Sequence, residues 1–241
     1  MSDKNEKKES LEEIIDSCVN NSSNALESRL CIINKELKRG FDLLSKHPKS
    51  VTFFGSARLA PETDPYKKAK SLSEKIANEG YSVITGGGFG IMAAASEGAH
   101  QSSKGTSVGI NIQLPFEQTI NPFLDESMEF HHFFSRKLIL SYSAETYIFF
   151  PGGFGTLDEL FEILTLKQTG KMPNVPIILF GKEFWSPLED FFKKVLLKNG
   201  QKVISDEDVD IYTITDSEEE VLEIVKSAPI RTEVSTTMGL G

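Results

Sequence analysis

From Val51 onward, short runs of β-branched and aromatic residues alternate with stretches whose apolar positions recur every three or four residues. The runs fall at 51–54, 81–85, 106–112, 128–131, 146–150 and 176–180. Such alternation predicts an α/β fold of the Rossmann-like, three-layer kind with a mainly parallel sheet. One βαβ unit is complete in the sequence. Asp64 and Pro65 form a cap and first-turn pair, Tyr66, Ala69, Leu72 and Ile76 make an apolar stripe, and Gly80 stands where a helix end needs a left-handed residue. Further helices fit 90–101, 133–143, 156–167, 184–198 and 217–227. Ahead of the first strand, Leu26, Leu30, Ile33, Leu37, Phe41 and Leu44 predict an amphipathic helix over 24–45, ended by Pro48. Residues 1–23 are polar and read as a loose arm with helical tendency around Leu11 to Ile15. The organisation expected is an N-terminal arm and helix over 1–48, a nucleotide-binding catalytic domain over 49–228 and a flexible tail over 229–241.

Composition narrows the classes. With 241 residues, 39% hydrophobic and 25% charged, the chain can bury a sizeable core. Its 26 basic and 35 acidic residues leave a net charge of −9, which disfavours nucleic acid or an anionic membrane as partner. Cys18 and Cys31 match neither a disulfide framework nor paired zinc ligands and read as free thiols. The opening residues lead into no apolar core of a secretory signal, and the longest apolar stretches, 147–150 and 175–180, fall far short of the ~20 residues of a membrane span. A soluble, cytoplasmic protein is expected.

An open parallel sheet binds ligands at the carboxyl ends of its strands. Three strands there run into small-residue turns: Phe54 to Arg58, Gly86 to Gly90, and Pro151 to Thr156. Each turn either merely permits a tight reversal or offers backbone N–H groups and a helix dipole to an anion. Three at one edge favour a phosphate-bearing ligand. The Gly86 to Gly90 run is not G-x-G-x-x-G, no acid ends the following strand, and no Walker-type loop is present, so a mononucleotide or sugar phosphate fits better than a dinucleotide or triphosphate.

Thr156 and Glu159 also satisfy a T-x-x-E capping box, under which both would serve only the helix start. Against that, a carboxylate touching phosphate is repelled, so Glu159 beside a phosphate loop should face the neutral part of a ligand, such as ribose. Arg136 and Lys137 begin a helix, where cations call for an anion; the alternative is two solvated surface cations. His131 and His132 point to opposite faces of a strand and do not make a metal site. Phe130, Phe133, Phe134, Phe149 and Phe150 read as core, while Phe89 and Phe154 sit inside glycine turns where a base could stack.

Taken together, these segments resemble the LOG (Lonely Guy), lysine decarboxylase-like family of phosphoribohydrolases, which cleave nucleoside 5′-monophosphates to free base and ribose 5-phosphate. The resemblance runs from about Val51 to Val225. It rests on PGGxGTxxE at Pro151 to Glu159, on the pair Arg136-Lys137, and on a GGGxxG(L/I)M-like run from Gly86 to Met92. The helix before Val51 and the Phe-rich segment Glu129 to Phe134 resemble a longer bacterial branch. The resemblance implies Arg136 and Glu159 as catalytic pair. It implies that Gly152, Gly153, Phe154, Gly155 and Thr156 hold the phosphate and that Gly86, Gly87, Gly88 and Gly90 belong to the nucleotide site. Met92 would pack on the base, with Lys137, Glu117 and Thr165 lining the site. It further implies a homodimer or larger assembly, no metal and no redox cofactor; neither decarboxylation nor pyridoxal phosphate follows from these motifs. AMP and cytokinin-type N6-substituted AMP are both open as substrate. The runner-up is a noncatalytic nucleotide or molybdenum-cofactor carrier on the same fold.

Overall fold

The computed structural model describes residues 9–114, 121–198 and 202–230; the expected tail beyond residue 230 and Glu117 lie outside them. The described residues form seven strands in one wholly parallel sheet, with eight α-helices. From β1 (Ser50–Phe54) the chain steps outward through α3 (Asp64–Asn78), β2 (Ser82–Thr85), α4 (Ile91–His100), β3 (Ser107–Ile112) and β4 (Glu126–Phe130). It then returns over α5 (Phe133–Ser141) to β5 (Thr146–Phe149) on the other side of β1, and continues through α6 (Phe154–Gln168), β6 (Ile177–Phe180), α7 (Lys182–Phe191), β7 (Thr213–Thr215) and α8 (Glu218–Ser227). The resulting order is β4-β3-β2-β1-β5-β6-β7.

Strands covered on both faces need continuous apolar runs rather than alternation, and β1, β5 and β6 are buried at every position. Phe53, Ile148 and Ile178 face α3, α4 and α8, whereas Phe54, Tyr147 and Ile177 face α5, α6 and α7. The helix start at Thr63 lies one residue before the Asp64 cap expected, with Pro65 still in the first turn. Gly80 has the left-handed φ of 82° that the end of α3 requires. β7 escapes detection by pattern because it is three residues long and buries only Thr215. No helix of the described residues is long and apolar enough to cross a membrane.

The N-terminal region differs most from expectation. The arm contains a capped helix, α1 (Leu11–Asn20), in which Ser10 and Glu13 exchange the two bonds of a capping box. It folds back on α2 (Ala25–Leu44), and the hairpin brings Cys18 and Cys31 to a Cα separation of 5.7 Å, where they form a disulfide rather than two free thiols. The buried stripe of α2 also departs from the hydrophobic one. Leu26 and Leu30 are exposed, while Ile32, Glu36, Gly40, Leu43 and Leu44 are buried. Gly40 is the point of closest approach to α5, since a Cβ there would collide with Ile139.

The turns at the sheet edge are equally tight. Gly90 adopts φ 61° and ψ −128°, open in practice only to glycine, and a side chain would press on the Ser56 carbonyl that accepts from Ile91 N–H. Gly90→Ala should therefore lower stability by roughly 2–4 kcal/mol. Urea unfolding measures this directly, and a midpoint within error of the parent would show that the loops do not cross as closely as described.

Candidate active site

Strand order reverses between β1 and β5, and in an open parallel sheet the ligand crevice lies beyond the carboxyl ends of the strands at that reversal. Three loops are stitched together there. Ser56 N–H donates to the Pro151 carbonyl at 3.0 Å, and Ile91 N–H donates to the Ser56 carbonyl at 3.0 Å. With α5 and α6 these loops enclose a cavity of about 730 Å³, inside the ~300–1,000 Å³ range of small-molecule sites.

One wall is the start of α6. The helix begins two residues before the expected Thr156, with Gly153 as its N-cap and no side chain satisfying its first amides. Its first internal bond runs from Leu157 N–H to the Gly153 carbonyl, so the amides of Phe154, Gly155 and Thr156 precede the hydrogen-bonded ladder and can receive an anion. Thr156 and Glu159 are therefore the third and sixth residues of the helix and form no capping box. Added side-chain carbons at Gly153 and Gly155 would meet nothing within 4 Å, so the protein's own packing does not demand glycine at either place. At Gly152 it does, because Thr156 packs directly against it.

Glu159 and Arg136 face this cavity from neighbouring helices. Glu159 is 7% exposed, and its Oε2 has no hydrogen-bond partner among the described residues. Burial pushes its pKa up to about 7, against the opposing pull of Arg136 and Lys137 and with a smaller push from Glu162 and Asp158. Arg136 is fixed from behind: Nε donates to the Ile110 carbonyl at 2.9 Å and a terminal nitrogen donates to the Gly86 carbonyl at 3.3 Å. Burial lowers the pKa of its guanidinium, and the charge of Glu159 partly offsets this. A carboxyl titrating near neutrality, a guanidinium and unpaired helix amides around one cavity can bind an anion and carry out acid–base chemistry on what is attached to it.

Of the residues singled out in the sequence, Gly86, Met92, Arg136, Lys137, Gly153, Phe154, Gly155, Thr156 and Glu159 line the cavity together. Lys137 already has anions from the protein, Asp158 at 2.8 Å and Glu162 at 3.1 Å, and so ties α5 to α6 rather than standing as a solvated cation. Gly87, Gly88, Gly90 and Gly152 shape the loops from behind, against Asn111, Met92, Ser56 and Thr156 respectively. Thr165 does not line this cavity; it is exposed on α6, its hydroxyl donating to the Phe161 carbonyl. Phe133 and Phe134, expected in the core, are 59% and 51% exposed, and Phe133 lines the cavity. From the Phe54 to Arg58 turn, expected as one of three ligand-facing turns but with no role given to its individual side chains, Ser56 and Arg58 also line it, the latter an exposed cation.

Residues 92–225 match the protein family described as possible lysine decarboxylase. The chain is 30% identical over 152 residues to the cytokinin riboside 5′-monophosphate phosphoribohydrolase of Rhodococcoides fascians, covering 61% of this chain and 75% of that protein. It is 29% identical over 151 residues to the cytokinin riboside 5′-monophosphate phosphoribohydrolase LOG of Oryza sativa subsp. japonica, covering 61% of each. Among solved structures, the molybdenum cofactor binding protein of Rippkaea orientalis is similar with a TM-score of 0.54 and 25% identity, over 74% of this chain and 94% of that one.

The raised pKa of Glu159 has a consequence for stability that needs no ligand. Between the ordinary carboxyl range and about 7 the folded protein holds a proton that the unfolded chain has released, so stability falls as pH rises through that window. Glu159→Gln has no charge to bury. Its stability relative to the parent should improve by up to roughly 3 kcal/mol between pH 4 and pH 8. Denaturant titrations at the two pH values test this, and a difference that stays flat would mean that Glu159 titrates as an ordinary carboxyl.

Proposed function

The chain belongs to the LOG, lysine decarboxylase-like family, and on that premise we propose that it is a hydrolase that cleaves the N-glycosidic bond of a nucleoside 5′-monophosphate, releasing free base and ribose 5-phosphate. AMP and cytokinin-type N6-substituted AMP are the substrates to which this reading points. The observation that carries it is the buried Glu159 carboxyl, titrating near neutrality in the same cavity as the unpaired amides of α6.

The 5′-phosphate sits on the amides of Phe154, Gly155 and Thr156, where the helix dipole favours negative charge. Glu159, five residues beyond Phe154, is repelled by the phosphate and faces the sugar. Breaking the glycosidic bond builds positive charge on the ribose and negative charge on the departing base. The ionised carboxylate stabilises the first and takes the proton of the water that attacks the anomeric carbon, as carboxylates do in glycoside hydrolysis. Arg136, braced by the Ile110 and Gly86 carbonyls, holds the nucleotide and offsets charge as the base leaves. Exposed Phe133, Phe134 and Phe154 around the site support an assembly in which a second copy covers them. The likeness to a molybdenum cofactor binding protein favours a second reading, a carrier that binds without turnover.

Incubation with a panel of nucleoside monophosphates should release base and ribose 5-phosphate from at least one. Glu159→Gln should cut that rate by at least ~10²-fold while leaving nucleotide affinity near that of the parent. The parent's kcat/KM should rise with pH through an inflection near 7, where Glu159 becomes a base. Tight binding with no released base from any nucleotide would favour the carrier.

Gly155→Ala separates the helix from the ligand. Alanine suits the helix better than glycine by up to ~1 kcal/mol and meets no protein atom within 4 Å, so the melting temperature should hold or rise. Ribose 5-phosphate affinity, measured by calorimetry, should nevertheless drop, and unchanged affinity would place the phosphate elsewhere.

A further inference from the structure

Outside the cavity, two wholly buried acidic side chains among the described residues, Glu36 and Glu145, are left without a role in the chemistry above, and Glu145 serves the start of β1 by accepting from the Ser50 backbone N–H. Glu36 lies on α2, is wholly buried, and reaches across to the turn between β4 and α5. Four donors converge on it. His131 N–H and His132 N–H both donate to Oε1, the latter at 3.2 Å, while His132 Nδ1 lies 3.0 Å from Oε2 and the Ser135 hydroxyl donates to Oε2 at 2.7 Å. The group thus anchors the two residues that lead into α5, through their backbone N–H groups, and the side chain of Ser135 in its first turn, while the helix's own first amides are not among its partners. Arg136 is the residue directly after Ser135. One turn further along the same helix, Ile139 fills the space left by Gly40 of α2. The hairpin therefore grips α5 by a carboxyl group and a glycine, on either side of the Arg136 position.

We propose that Glu36 is a positioning residue for Arg136: it sets the start of α5 and so the place of the guanidinium relative to Glu159 and the ligand. The proposal rests on the phosphoribohydrolase reading for its effect on rate, but not for its geometry. Its consequence is that the two segments setting this chain apart in sequence, the helix before β1 and the Phe-rich run with two histidines, form one device. The hairpin completes the active site from behind while contributing no residue to its lining. Helix placement of this kind matters because a misplacement of about 1 Å in a catalytic group costs up to ~10²-fold in rate.

The test uses the full chain and two measurements. The first needs no substrate. Glu159 is faced by Arg136, Lys137, Asp158 and Glu162, and a displaced guanidinium removes part of what holds its pKa down. Carbon-13 NMR of the Glu159 carboxyl should therefore show an upward shift of its titration in E36A, in the direction given by R136A. The second is a kinetic double-mutant cycle on AMP or the best nucleotide of the panel. E36A should lower kcat about tenfold or more in the parent but have little further effect in R136A, because both changes act through the same group. E36Q, which keeps the side-chain length and one amide oxygen for the two backbone donors, should recover part of the loss. If E36A does not fold, E36Q carries both measurements with smaller changes of the same sign. An unmoved Glu159 titration in a folded variant, or additive losses in the cycle, would overturn the proposal. A parent that hydrolyses no nucleotide would instead remove the reaction assigned above, leaving the titration to decide the role of Glu36.

Discussion

A carboxyl group taken out of water must find donors or give up its charge more readily. Glu159 does the second. It lies six residues into α6, walled in by the loops at the strand reversal, with one oxygen lacking any described donor and with Arg136 and Lys137 only partly offsetting the cost of burial. That condition would be disfavoured in an ordinary core. It is tolerated here because the surrounding sheet is buried through and through: β1 and β5 pair in register, Phe54 beside Phe149, and hold the loops above them in one place. A looser edge would hydrate the carboxyl more fully and return it to ordinary behaviour.

The same edge shows why glycine recurs at it for unlike reasons. Gly90 and Gly152 are set by the protein itself, one by its backbone angles and the press of Ser56, the other by the side chain of Thr156. Gly153 and Gly155 are not, since no atom of the protein lies where their side chains would be. Empty space in front of a helix start, left open by residues that could have filled it, is what a small anion requires. The glycine motif is thus two things at once, a folding constraint at Gly152 and open space at Gly153 and Gly155 beside the first amides of α6.

The α1–α2 hairpin adds a further layer. Its own core is small, Ile14, Cys18 and Ile32 closed by the disulfide to Cys31, and most of its attachment to the body comes through the second half of α2. There the contact is made by Glu36, Gly40, Leu43 and Leu44, a surface that reads as half polar yet is buried against α5. A carboxyl that satisfies several donors of another element specifies one docking geometry in a way that apolar packing alone does not.

Much of this was legible along the chain. The alternation of strands and helices, the helix over most of 24–45 and the turn glycines depend on contacts within a few residues, and local spacing records such contacts faithfully. The clustering of Arg136, Glu159 and the glycine turns at one sheet edge was likewise anticipated from their motifs. The start of α6 was misplaced because T-x-x-E is a helix-start signal wherever it occurs, and nothing local reveals that Gly153 has already opened the helix. The stripe of α2 was misjudged because burial there is decided by a carboxyl and a glycine rather than by apolar side chains. The cysteines were read apart because their pairing depends on a hairpin that the polar arm did not announce. Sequence alone therefore determined most of the elements and which motif residues meet at the sheet edge, whereas only tertiary structure decided what surrounds them. Desolvation of Glu159 and capture of the α5 start by Glu36, 95 residues before His131, arise from groups brought together by folding, and no periodicity in the chain encodes the environment that such meetings create.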